Sequence, residues 1–203
     1  MMLYITRRRD ARVVSPRERM VISTALLIRE RGAHSTAISD VLEHSGAPRG
    51  SAYHYFPGGR TQLLCEAVDY AAEYTAARVA KAEHSLAAVD VIVDGFRRLL
   101  VESDYRAGCP VVAVAVEADN PAVIDRAAAA FAQWTELIGR RLEADGVGSE
   151  RAEELAMLLM TSIEGAIVVA RTARDVKPLD LVHRQLRAIV AAETEQGGTH
   201  DDR

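Results

Sequence analysis

A chain of 203 residues, 49% apolar and 27% charged, with a formal net charge of −4 and two cysteines, is long enough for one domain or two small ones. Its longest purely apolar runs, Val111–Val116 and Ala166–Ala170, fall far short of the ~18 residues of a membrane span, and the apolar start ahead of Arg7, Arg8 and Arg9 reverses the order of a secretory signal. The expectation is a cytoplasmic protein with no membrane partner, in which Cys65 and Cys109 are buried thiols and not a disulfide framework or a metal pair.

In chain order, residues 1–14 form a basic arm expected to be disordered. Its Arg7, Arg8, Arg9 and Arg12 suit a minor groove or phosphates, and equally a solvated leader. Ser15-Pro16-Arg17-Glu18 combines an N-cap, a proline at the first helical position and an acid that reaches back to the cap amide, so a helix starts here and Gly32 stops it. Ser35–His44 predicts about two turns of helix, Ser45-Gly46-Ala47-Pro48 a break, and Arg49–Phe56 a second short helix closed by Pro57-Gly58-Gly59. A lever helix follows from about 60 to 83, roughly 36 Å long at ~1.5 Å per residue. Leu86, Val89, Val93, Phe96 and Leu100 mark the next amphipathic stretch. Val111–Val116 has strand-like content but no second strand to pair with, and is read as a short buried helix. Asn120-Pro121 caps a helix carrying Ile124, Ala127, Phe131, Trp134, Ile138 and Leu142 inward. Two last helices, about 150–174 and 178–193, show apolar surface that wants a partner, and residues 197–203 form a tail expected to be disordered.

The functional signal lies between Ser35 and Arg60. Helix, tight glycine turn, helix is the helix-turn-helix arrangement, in which the second helix enters the major groove with its N-terminal residues at the base edges. Val41 and Ala52 hold the two helices together. Gly50 and Ser51 let the backbone approach DNA, Arg49 faces it, His54 reads a base or equally faces solvent, and Ser35, Thr36, Tyr53 and Tyr55 offer hydroxyls to phosphates, with Phe56 in the core. Charge agrees: the first 60 residues hold ten arginines and no lysine against five acids, while the rest of the chain has nine negative charges in excess. His34, His44 and His54 are spaced by ten and separated by breakers, so they do not form a metal site. H-E-x-x-H, G-K-[ST] and G-x-S-x-G are absent, so neither enzyme chemistry nor a cofactor is expected.

Thr36-Ala-Ile-Ser-Asp-Val41, Ser45-Gly46, Gly50-Ser-Ala-Tyr-His-Tyr-Phe56 and Leu63-Leu64 together resemble the TetR family of one-component regulators. Ala47–Ser51, Phe56–Arg60 and Tyr105-Arg-Ala-Gly-Cys-Pro110 with the following valine run resemble its branch associated with drug-efflux and flavonoid-response genes. An extra glycine in Pro57-Gly58-Gly59 moves the basic residue that opens the next helix to Arg60, the expected phosphate contact. The resemblance implies an all-α chain of about nine helices: a three-helix DNA-binding domain over 15–60, then an effector-binding and dimerisation domain over 61–196. It also implies a ligand cavity among the middle helices. Phe96, Leu100, Val112, Val116, Phe131, Trp134, Met157 and Met160 are its expected lining, each equally suited to plain core, and Glu117 and Glu164 are candidates to orient a ligand's polar group, although helix-surface acids are the commoner outcome. The expected partners are therefore a palindromic double-stranded operator, a small hydrophobic effector and a second copy of the chain, with repression implied by the resemblance alone. The other reading of the residues is a dimeric helical ligand-binding protein whose basic front touches a protein or an anionic membrane.

Overall fold

The computed structural model describes residues 14–197, with side chains through Glu195, and every regular element among them is a helix. Nine follow in order: α1 (Pro16–Arg31), α2 (Ile38–Ser45), α3 (Ser51–Tyr55), α4 (Gly59–Val79), α5 (Ser85–Glu102), α6 (Pro110–Glu117), α7 (Pro121–Ala144), α8 (Ser149–Ala173) and α9 (Lys177–Gly197). The arm through residue 13 and the tail from residue 198 lie outside the described residues, whereas the Val14 carbonyl accepts from Arg19 and Gly197 closes α9.

Local chemistry sets most of the boundaries. The Ser15 hydroxyl accepts from the Glu18 amide at 3.2 Å while Glu18 accepts from the Ser15 amide at 2.9 Å, and Gly32, at φ +87°, ends the helix. Asn120 caps α7 through its Oδ1, and His84 caps α5 through Nδ1. Two expectations fail here. The helix read from Ser35 begins at Ile38, with Asp40 accepting from the Ala37 amide, because the Thr36 hydroxyl instead closes the end of α1 by donating to the Gly32 carbonyl. The lever α4 ends at Val79, about 32 Å long at ~1.5 Å per residue and not 36. The valine run is a helix, α6, but buried on one face only: Val111 and Val114 are enclosed, while Val116 is 80% exposed.

The buried side chains divide into two clusters. Met20, Val21, Leu27, Val41, Ala47, Ala52, Phe56 and Leu63 form a small core under α1–α3, and both expected tethers, Val41 and Ala52, lie in it. The larger core runs through α4–α9 and takes in Ala25 and Ile28 of α1. α4 is the spine, packing on α1, α5, α6 and α7, with Leu63 in the small core and Leu64 in the large one. α8, among the described helices, is long and apolar enough to cross a bilayer, a test that counting purely apolar runs did not anticipate. Half of its apolar window is buried in the protein's own core, as Leu155, Leu159, Ile163 and Ile167 show.

Candidate nucleic-acid interface and ligand cavity

The turn between α2 and α3 is made by Gly46, whose φ of +65° a side-chain-bearing residue rarely adopts; the Ala47 amide then bonds back to the Leu42 carbonyl at 3.2 Å. The Ser51 hydroxyl donates to the Pro48 carbonyl at 2.7 Å and secures the start of α3. Ala52 and Phe56 bury the inner face, and the Arg17 guanidinium lies 5.1 Å from the Phe56 ring centre. The outer face is left with Arg49, Gly50, Tyr53 and His54 exposed, Tyr53 at 70%. Tyr55 is half-buried against the small core with its ring edge-on to His54, and Ser35 is exposed at the neighbouring loop.

Two expected contacts are corrected. Thr36 is buried, and its hydroxyl is spent on the Gly32 carbonyl at 2.8 Å, so it faces no phosphate. Arg60 turns inward: Nε donates to the Thr36 carbonyl at 2.9 Å, and a terminal nitrogen to the carbonyls of Ala33 and His34. A guanidinium with five donors is well matched to a loop that leaves several carbonyls without helical partners, and Arg60 is a strut under the α1–α2 loop. Two more arginines of this region have partners within the protein. Arg17 pairs with Glu66 at 2.6 Å, and Arg19 donates to the Ser45 and Val14 carbonyls. Burial lowers the Arg29 pKa against the opposing pull of Glu30 and two tyrosines. Arg31 and Arg49 remain exposed.

The second feature is a cleft of about 840 Å³ between α7 and α8. Of the expected lining, Phe131, Met157, Met160 and Glu164 border it. Met160 and Glu164 also border a void of about 20 Å³ that reaches Phe96 and Trp134 deeper in the core. Trp134 donates Nε1–H to the Ala72 carbonyl at 3.0 Å and meets Phe131 edge-on at 5.8 Å. Four expected residues stand apart from both spaces. Leu100 is fully buried core, Val112 packs on that core from α6, and Val116 points to solvent. Glu117 faces the head, accepting the His34 amide at 3.1 Å, so close to Gly32 that a Cβ there would strike its carboxylate. Glu164 is different: it lines the cleft, while Oε2 is enclosed and has no hydrogen-bond partner. Burial pushes its carboxyl up to about 7 against the opposing effect of the Cys109 thiol. Burial, with the Glu164 charge, pushes that thiol well up, so Cys109 is an unreactive buried thiol, while Cys65 is half-buried and donates to the Ala122 carbonyl.

Cavity and reading head are joined through contacts that sequence periodicity missed. Glu164 and Arg171, two helical turns apart, share one face of α8. Glu164 meets Cys109, the next residue, Gly108, donates its amide to the Arg29 carbonyl at 2.8 Å, and Arg171 packs near Gly108 and donates to the Glu30 carbonyl at 3.1 Å. The last turn of α1 is thus held by α8 and the loop before α6, and the loop that follows it is held, through Glu117, by the end of α6. The available signals were an arginine near the end of an otherwise apolar helix and a glycine beside the cysteine, neither of which names its partner.

Comparison with known proteins follows this division. Residues 23–67 match the model of the bacterial regulatory proteins of the tetR family, and residues 85–185 that of the LmrA/YxaF-like transcriptional regulator C-terminal domain. The HTH-type transcriptional regulator Rv0196 of Mycobacterium tuberculosis is 60% identical over 185 residues, covering 88% of this chain and 95% of that one. The HTH-type transcriptional regulator LmrA of Bacillus subtilis is 29% identical over 172 residues, covering 80% and 90%. A TetR transcriptional regulator from Chloroflexus aurantiacus, of known crystal structure, superposes with a TM-score of 0.68 at 30% identity, covering 87% of this chain and 94% of its own.

Proposed function

Because the chain belongs to the TetR family of helix-turn-helix transcriptional regulators, which are not enzymes, we propose that it is a homodimeric repressor seated on a palindromic operator and released by a small hydrophobic ligand. The observation that carries the DNA side is α3, a helix whose inner face is core and whose outer face leaves an aromatic residue 70% exposed beside His54, Arg49 and Gly50. Tyr53, His54 and Gly50 read or approach the bases, while Arg49, Ser35 and Tyr55 hold phosphates. Family membership favours DNA over the reading as a basic surface for membranes or proteins. A cytoplasmic location, where the operator is, belongs to the same proposal.

Dimerisation fits the outward faces of α8 and α9. Leu158, Val168 and Val169 are 42–52% exposed on α8, and Leu181 is 44% exposed on α9, an apolar area of the kind that marks an association surface. Two helices from each copy would form a four-helix bundle and place two copies of α3 about 34–36 Å apart, one turn of duplex, or at a multiple of that spacing.

Release follows from the junction at the end of α1. A ligand in the cleft displaces α8 or the Cys109 loop, and the bonds of Arg171 and Gly108 carry that shift to α1 and so to the spacing of the heads. The ligand lowers operator affinity only by its preference for the dimer of wrong spacing. The test is selection from a random duplex library by purified protein at moderate salt, followed by titration of the winning sequence. A palindrome bound far more tightly than random DNA is expected, and equal salt-sensitive binding to every duplex would refute the proposal.

A further inference from the structure

We propose that the ligand of the α7–α8 cleft is an apolar aromatic cation, a protonated amine whose N–H bonds to Oε2 of Glu164. The inference rests on the effector reading above and adds the chemical class of the effector. A buried oxygen with no partner is rare in a folded protein, because its lost hydration goes uncompensated. Here that oxygen belongs to Glu164, the one acidic residue that lines both the large cleft and the inner void. The Cys109 thiol faces the carboxyl from the loop before α6, no cationic side chain of the protein contributes to its ionisation, and the void beside it is walled by Phe96, Trp134, Met160, aliphatic groups and the single hydroxyl of Thr75.

The cleft mouth favours the same sign of charge. Glu136, Glu143 and Glu153 line it against a single base, Arg140, which is itself paired with Glu136 at 3.2 Å. Phe131 and Trp134 set aromatic surface near the acid, and aromatic faces attract cations. An anionic ligand would meet four carboxyl groups, and a neutral alcohol would satisfy Oε2 but gain nothing from the mouth. Burial already favours the neutral acid, so arrival of an ammonium group expels that proton and leaves a carboxylate–ammonium pair.

Three probes with one ring system separate these cases: anthracen-9-ylmethylamine, anthracen-9-ylmethanol and anthracene-9-carboxylate, titrated into the full-length protein by fluorescence and calorimetry. The amine should bind at least tenfold more tightly than either other probe, with proton release visible as a buffer-dependent heat. Glu164→Gln, nearly isosteric, should erase the preference by weakening the amine at least tenfold while changing the alcohol's affinity far less. Equal or tighter binding of the alcohol or carboxylate to the wild type, or no binding by the amine, overturns the proposal without reference to any variant. Operator affinity measured with each probe at saturation distinguishes the two readings. Selective binding of the amine with no loss of operator affinity upholds the cation site and rejects ligand release, whereas loss of operator affinity with an alcohol that binds as tightly as the amine does the reverse.

Discussion

Tyr53 and Arg60 show how far apart two residues of the same segment can be in role. Tyr53 has no packing duty in the fold, so Tyr53→Ala should leave the melting temperature within a degree or two while weakening operator binding by about 1–3 kcal/mol, the usual worth of a specific contact, in a titration against the selected duplex. Arg60 is the reverse case. Arg60→Ala removes charge-assisted bonds to three carbonyls of the α1–α2 loop and should cost about 1–3 kcal/mol of stability, with the salt dependence of DNA binding unaltered. Arg49→Ala should lower that salt slope by about one and leave stability alone, since Arg49 is exposed beside α3. Equal slopes for the two variants would contradict the assignment. The sequence made Arg60 legible as a cation at the right end of the motif, but its targets are carbonyls 24 to 27 residues upstream, and no local pattern reports those.

At the scale of elements, caps and periodicity carried much of the reading. Ser15, Glu18 and Gly32 bound α1 as their chemistry requires, and the isolated valine run had to be a helix because a strand without a partner leaves its backbone unpaired. Periodicity distinguishes inward from outward but not core from cavity, which is why Leu100 and Met160 looked alike in the sequence. Glu164 stood out in the sequence only as an acid within an apolar segment, a pattern that an ordinary helix-surface acid shares. The α5–α9 seam, by contrast, is an electrostatic joint invisible to periodicity. Burial pushes the Asp90 carboxyl up, but hydrogen bonds from Arg187 and His183 more than offset it and hold it below the usual carboxylate range. A depressed carboxyl stabilises the fold above its unfolded value of about 4, and that stability is lost as the pH falls through the folded value. The difference in melting temperature between the wild type and Asp90→Asn should therefore be constant from pH 7 to about 5 and shrink below about 4. A difference independent of pH would remove the ion pair as its source.

For the molecule as a whole, the exposed apolar faces of α8 and α9 make association part of DNA recognition. Val168→Glu should convert a dimer into a monomer in sedimentation and reduce operator affinity at least tenfold, while the isolated chain keeps its helical content, because Val168 is 47% exposed in one copy. A dimer that survives this substitution would place the interface elsewhere. Arg171→Met should leave operator affinity intact and reduce the loss of affinity that a bound effector causes, since it cuts one of the bonds between α8 and the last turn of α1. Those bonds join two bodies that already share helices. α1 feeds Met20 and Leu27 to the small core and Ile28 to the large one, and α4 splits Leu63 from Leu64 in the same way. The reading head is consequently not a portable cassette. Grafting the first 60 residues of a relative onto this body would exchange half of a shared core and risk a molten chimera. The segment from α2 through Phe56, whose enclosed apolar side chains Val41, Ala47, Ala52 and Phe56 all belong to the small core, is the natural unit in which operator preference can be exchanged.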